Sequence, residues 1–474
     1  MVKTKTSKTS ETPKHLDVEI TVKDFGPIAD ATINLHPLTV FVGPSNTGKT
    51  YFSTLIYALH GTFNGFSHLP NRLGPFSSLN VTDIHAILRK QNTLDRPFKF
   101  SDLSQETRTM LQSEIKDPES FKAELERCFD LNSITELIRL NDGQRDKMPV
   151  SLKVSEENQK LWNFNLATSE SDLTTQASIN KNLVLYPKER FISKGQHAIE
   201  NFVFEFGLEL GRYTRYAENR AYLPAARSGI MQSHRVIASS LVERATRGGL
   251  TPLEIPTFSG IVADFMQQLI LYEKSKEPDK EIHHLADALE SDVLAGQILI
   301  KPTPSGCPDF LYRPQETGEE VRLTRAASMV SELAPVVLFL RSGIRPGDMI
   351  IIEEPEAHLH PGAQTDIALT LAGLVRSGVR VVVTTHSDWL LKEIANLIRI
   401  GDLKRKGVSQ LKKMESIHWL LPEEVGTWWF QTDGIVNHIP FDPTEGIEPK
   451  DYEDVAYKLY DRSVNLQDLL EKAG

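Results

Sequence analysis

At 474 residues with 40% hydrophobic side chains, the chain can bury one large core and carry one or two further lobes, which excludes a disordered polymer. Its net charge of −10, from 53 basic and 63 acidic residues, sets a field that repels nucleic acid, so any such contact needs a local basic patch. Cys128 and Cys307 stand in no metal-ligand spacing, no run approaches ~18 apolar residues and the first fifteen residues hold no apolar stretch, so a soluble cytoplasmic protein with reduced thiols is expected.

In chain order, residues 1–15 read as a flexible polar tail. HLDVEITVKDFGPIADATINLHPLTVFV then gives three short strands broken at Gly26-Pro27 and His36-Pro37. GPSNTGKT, residues 43–50, follows the last of these and opens the helix YFSTLIYALHG. Segments such as SQETRTMLQSEIK and ESFKAELERCFDLNSITELIRL predict a mainly helical insertion over 61–219, interrupted by strand-like MPVSLKVSEE and NLVLYP. Strand RAYLPAAR near 220 resumes the first pattern, followed by helices, strands AGQILIKP and DFLYRP, and the apolar helix AASMVSELAPVVLFLR. Two buried strands, MIIIEE and VRVVVTTHS, flank another helix, and strands alternating with helices imply an α/β fold with a largely parallel, helix-covered sheet. Residues 16–60 and 220–400 therefore read as one discontinuous nucleotide-binding head, and 401–474 as a small C-terminal α+β extension.

The loop at 43–50 carries the first chemistry. Gly43 and Gly48 let the backbone curl until its N–H groups face inward, with Pro44, Ser45, Asn46 and Thr47 between them. Lys49 reaches the β- and γ-phosphates, Thr50 offers a hydroxyl to Mg²⁺, and Tyr51 begins the helix whose N-terminus adds positive potential. ATP and Mg²⁺ are the expected cofactors. In MIIIEEPEAHLHP, residues 349–361, an apolar strand ends in two carboxylates: Glu353 to hold Mg²⁺ and Glu354 to orient and deprotonate the attacking water. His386 stands at the end of the apolar strand in VRVVVTTHS, where it can sense the γ-phosphate.

EEPEAHLHP followed by TTHS, after an N-terminal GPSNTGKT, resembles the ABC-type ATPase heads of the RecF, SMC and OLD group, also called AAA ATPases. The resemblance covers about 16–60 and 220–400, and implies a P-loop NTPase head that docks head-to-tail on a second copy, each nucleotide lying between one P-loop and the other head's signature helix. The matching segment is RAASMVSELAPV, with Ser328 or Ser331 as the γ-phosphate contact in trans; it departs from the transporter signature in having no glycine pair, which disfavours a transporter subunit. PEAHLH would be the D-loop, against a rival reading of Glu356, His358 and His360 as metal ligands. Arg227 in YLPAARSGIM could approach phosphate or the neighbouring head, and Gln232 is a weak Q-loop candidate.

OLD-type nucleases carry a TOPRIM domain, which needs acidic residues after two strands. Asp451, Glu453 and Asp454 instead read as a helix start, so nuclease chemistry in this chain is not expected. Lys404-Arg405-Lys406 and Lys412-Lys413 could touch nucleic acid, and Trp428-Trp429 could be core or a docking surface. A stand-alone head with these motifs resembles the ATPase subunits of two-component anti-phage systems of the PARIS and Septu kind. That resemblance implies a sensor or scaffold controlling an effector, a nuclease acting in trans, and the alternative is a RecF-like DNA-binding repair ATPase.

Overall fold

The computed structural model describes residues 16–64, 98–105, 108–109, 118–140, 147–156, 159–169, 173–185, 217–233, 237, 258–272, 278–303, 308–408 and 418–473. Cys307 and the Lys412-Lys413 cluster lie outside them. Alternating residues of DVEITVKDF point to opposite faces, so β1 (Asp17–Phe25) buries Val18, Ile20 and Val22 and pairs antiparallel with β2 (Ile28–Leu35). The largely apolar β3 (Leu38–Val42) is buried at every residue, as a strand covered on both faces must be. It runs through the Gly-rich loop into α1 (Lys49–Asn64), and α2 (Pro118–Phe129) packs against α1.

The stretch from 61 to 219 departs from expectation. Its described residues are more strand than helix: β4 (Lys147–Glu156), β5 (Gln159–Ser169) and β6 (Leu173–Ile179) extend the β1–β2 hairpin into an antiparallel sheet of order β2-β1-β4-β5-β6. The reason is visible in MPVSLKVSE, whose period-2 pattern buries Met148, Val150, Leu152 and Val154 on one face. A mainly helical lobe is therefore corrected, in the described part, to a sheet that shares its core with the head.

Next come β7 (Arg220–Leu223), α3 (Gly260–Ile270), α4 (Lys280–Ala288), the antiparallel β8 (Gly296–Lys301) and β9 (Asp309–Pro314), and α5 (Ser328–Ser342). Then β10 (Met349–Glu353), α6 (Pro361–Arg376), β11 (Arg380–Thr385) and α7 (Asp388–Arg405) alternate. β12 (Val425–Phe430) pairs parallel with β3 and antiparallel with β13 (Val436–Ile439), and α8 (Lys450–Ala473) follows. The central sheet has the order β13-β12-β3-β11-β10-β7, so β12 and β13 belong to the head sheet rather than to a separate extension. Its alternate residues feed two cores: Met349 and Ile351 face α1 and the antiparallel sheet, whereas Ile350 and Ile352 face α4 to α7. Trp428 is buried in the first core, its ring against His438, in keeping with the core reading.

Arg405 is neutralised by Glu423 and Asp402 at 2.8 and 2.7 Å, and the Lys404 ammonium sits 5.9 Å from the Trp419 ring. The basic cluster at 404–406 is thus partly spent on local contacts. α8 begins at Lys450, which places Asp451, Glu453 and Asp454 in its first turns. Burial pushes the Cys128 thiol up to about 12, as for a structural thiol. Among the described residues no helix is long and apolar enough to cross a membrane.

Candidate functional site

β3, β7, β10 and β11 run parallel, so their C-terminal ends meet at one edge of the sheet. Crevices at such an edge are where α/β proteins place ligands. The edge gathers the 43–50 loop, Pro224 to Arg227, Glu353-Glu354 and Thr385-His386, segments far apart in the chain.

The loop is built on left-handed backbone. Gly43 has φ 137°, and a Cβ there would overlap the Phe430 carbonyl oxygen of β12; Gly48 has φ 103° and lies against Ile28. Asn46 also takes a positive φ, 64°, which asparagine tolerates better than most residues. Thr47 ties the curl by donating its hydroxyl to the Pro44 carbonyl at 2.8 Å. Lys49 points back into the loop and donates from Nζ to the carbonyls of Gly43 and Pro44 at 2.8 and 2.6 Å. Burial, opposed by the carboxylates of Glu354 and Glu356, brings its ammonium down to about 8. Ser45 and Thr50 are exposed at the mouth. The Tyr51 ring stands beside Gly26 and edge-on to Phe25 at 6.1 Å, and part of it remains open to solvent.

Glu353 is buried and its carboxylate is held twice, by the Tyr222 hydroxyl at 2.8 Å and the Ala225 N–H at 2.9 Å. Tyr222 in turn bonds Ser53 of α1 at 2.9 Å, so helix, β7 and β10 are linked through one polar chain. The Thr50 hydroxyl and the Glu353 carboxylate are hard oxygen donors of the kind that suits Mg²⁺, and the two bonds on Glu353 leave it lone pairs to spare. Glu354 leaves the strand with φ 43°, its N–H on the Thr384 carbonyl at 2.9 Å, and turns its side chain outward at 43% exposure. His386 Nε2 stands 3.6 Å from Glu354 Oε1. Burial and then the Lys49 ammonium lower the His386 pKa, with Glu354 opposing, which favours the neutral ring at physiological pH.

Three expectations change. Ser331 is 0% exposed; its hydroxyl donates to the Leu323 carbonyl at 3.0 Å and accepts from Gln232 at 3.2 Å, so it faces the interior of its own head. An apolar helix buries the residue one turn in, and only Ser328, exposed at the α5 N-terminus, stays available to a second copy. Gln232 is engaged with Ser331. Arg227, expected at phosphate or at an interface, is fully buried and spends its guanidinium on the carbonyls of Glu353 at 2.6 Å, Glu354 at 3.0 Å and Glu332 at 3.1 Å.

Nor do the residues of the rival metal reading converge: His360 caps α6 by accepting the Gly362 N–H at 3.2 Å, and Glu356 turns inward. Among the described residues no group of three or more His, Cys, Asp or Glu side chains is placed to hold a metal ion. Glu356 instead accepts from the Thr385 hydroxyl and the His386 N–H at 2.6 and 2.7 Å, a buried tie between the segment after β10 and the end of β11. Burial raises its pKa. Sequence reasoning missed Tyr222, Glu332 and this role of Glu356; each lies inside a segment already singled out, but the signal was only a polar residue in an apolar context.

A curated relative, the Old nuclease of Escherichia phage P2, is 36% identical over 77 residues, which is 15% of this chain and 13% of that protein. The chain thus matches only a small part of that relative's length. Among solved structures, the SMC head bound to the C-winged helix domain of ScpA has 9% identity and a TM-score of 0.42 over 90% of this chain and 98% of that one. The SMC head domain from Thermotoga maritima has 10% identity and a TM-score of 0.38 over 90% and 100%. The AAA ATPase domain family matches residues 18–217 and 251–391, most of the chain, and the phosphate-loop geometry lies within that match. The chain belongs to the AAA ATPase domain family.

Proposed function

We propose that the chain is an ABC-type ATPase that binds ATP with Mg²⁺, hydrolyses it at sites completed by a second copy, and uses its nucleotide state to control a partner effector, a nuclease, in the cytoplasm of a prokaryote defending itself against phage. The observation that carries the ATPase reading is the meeting of Lys49, Glu353, Glu354 and His386 at one sheet edge, with Lys49 among the charges felt by His386 and Glu354 among those felt by Lys49. When bound, Mg²⁺ neutralises phosphate charge. Thr50 and Glu353 are the residues that would hold it. Glu354 accepts the proton of the attacking water, and neutral His386, beside it, donates toward the γ-phosphate. Composite sites are supported by Ser328 standing exposed at a helix N-terminus, where backbone N–H groups favour anions. Control of an effector in trans is supported by the motif order and by the partial likeness to the Old nuclease.

The effector reading is tested by affinity purification of tagged Glu354→Gln protein from its native host with ATP and Mg²⁺, followed by mass spectrometry. A stoichiometric nuclease is the expected companion. Recovery of the chain alone with tightly held DNA overturns this reading in favour of a DNA-binding repair ATPase.

Lys49 gives a pH prediction. Its ammonium titrates at about 8 in the free protein, and adjacent phosphates raise that value, so the complex holds the extra proton. Affinity for ATP is therefore full below that pH and declines above it, by up to about tenfold per unit until the bound-state pKa is passed. Calorimetry at pH 8.5 in two buffers of different ionisation enthalpy should show proton uptake on ATP binding. Equal heats in both buffers would remove Lys49 from the phosphate.

A further inference from the structure

Arg227 and Glu332 form a buried ion pair, 0% and 2% exposed, with Nε 3.2 Å from Oε2. Such a pair adds little net stability, because desolvation offsets the Coulombic gain, so what it holds in place matters more than what it stabilises. The hydrogen bonds show which. One guanidinium takes the carbonyls of both Glu353 and Glu354, at 2.6 and 3.0 Å, across the bend where the strand ends. Glu354 sits there at φ 43°, a left-handed backbone that a side-chain-bearing residue rarely adopts. Glu332 anchors the same guanidinium from α5, one helical turn beyond the exposed Ser328. On its other side the Glu332 carboxylate lies 3.9 Å from Nε2 of His358, an exposed residue that is also at positive φ, 60°. Two elements that reach the surface, the α5 N-terminus and the turn after β10, therefore meet on one buried pair that grips the backbone of the candidate base.

We propose that Arg227 is a positioning residue: with Glu332 it fixes the backbone at Glu354 and ties it to α5, so that engagement of the α5 N-terminus by the nucleotide of a second copy is transmitted to the hydrolysis rate. This rests on the ATPase reading above. A change at Ser328 would move α5, α5 would carry Glu332, and Arg227 would carry the Glu354 carbonyl.

The test compares wild type, Arg227→Lys, Glu332→Gln and Ser328→Ala for kcat, ATP affinity and thermal melting. Lysine keeps the charge but cannot span two carbonyls, and glutamine keeps the shape of Glu332 but not its charge. Both variants should lose about tenfold or more in kcat, with ATP affinity within about twofold and a cooperative melt. Ser328→Ala should lower the rate in the wild-type background and have no added effect in Arg227→Lys, since the relay is already cut. Wild-type kcat in both Arg227→Lys and Glu332→Gln, or additive loss with Ser328→Ala, overturns the inference while leaving the ATPase reading intact. Absence of turnover in wild type overturns that reading, and this inference with it.

Discussion

Lys49→Ala should abolish measurable nucleotide binding. The ammonium is the charge closest to the Gly43 and Pro44 carbonyls and is already inside the loop that would hold phosphate. Removing it deletes charge-assisted hydrogen bonds worth about 1.5–3 kcal/mol each, so two of them correspond to a loss of about 100-fold or more in affinity. The variant also strips the Gly43 and Pro44 carbonyls of their donor, at a cost of about 1–3 kcal/mol if water does not replace it. Isothermal titration with ATP therefore needs a thermal melt beside it. A cooperative melt with no binding heat is the expected outcome, and a folded variant that keeps wild-type affinity would overturn the assignment of the 43–50 loop.

Glu354→Gln should separate binding from turnover. The substitution preserves size and leaves the side chain able to hydrogen-bond water, but an amide cannot take up the proton, so kcat should fall about 100- to 1,000-fold. Affinity should hold, because the phosphates are gripped by the loop and Glu353 is untouched. Folding should hold too: the Glu354 side chain is 43% exposed, and its backbone is fixed by the Thr384 carbonyl and by Arg227, neither of which the substitution alters. Single-turnover measurement with ATP and Mg²⁺ decides it. Unchanged turnover would take Glu354 out of the base role and shift attention to His386, 3.6 Å away.

Much of the fold was legible because the informative pattern was local. LTVFV, MIIIE and RVVVTT are short runs with apolar centres, as buried parallel strands require, and all three lie side by side in the central sheet. The strand from 147 to 156 was visible only as an interruption, since its alternating pattern is shorter and weaker than the helical segments around it. The helical expectation failed there because strand pairing depends on a partner more than a hundred residues away: Val154 pairs with Val18 and Leu152 with Ile20. VGTWWF was assigned to an extension for the same reason, although Thr427 pairs with Val40 and its strand completes the sheet beside β3.

The candidate site divides in the same way. Residues 43–51, Glu353, Glu354 and His386 could be named from sequence, because a Gly-rich turn between strand and helix, or an acid or histidine at the end of an apolar run, is written in consecutive residues. Whether a polar residue within such a segment faces a ligand or the core is not. Ser331 and Ser328 differ by three positions, and only the packing of α5 turns the first inward and leaves the second exposed. Arg227, expected at phosphate or at a neighbouring head, is instead enclosed by Glu332, Glu353 and Glu354 of its own chain. The Gly-rich loop, the paired acids and the strand-helix alternation were readable in consecutive residues, since they depend on backbone freedom and on apolar runs of a few residues. Which strands are neighbours, which charges are buried and which serine reaches the surface came only with the folded molecule, because each depends on contacts between segments that the chain order keeps far apart.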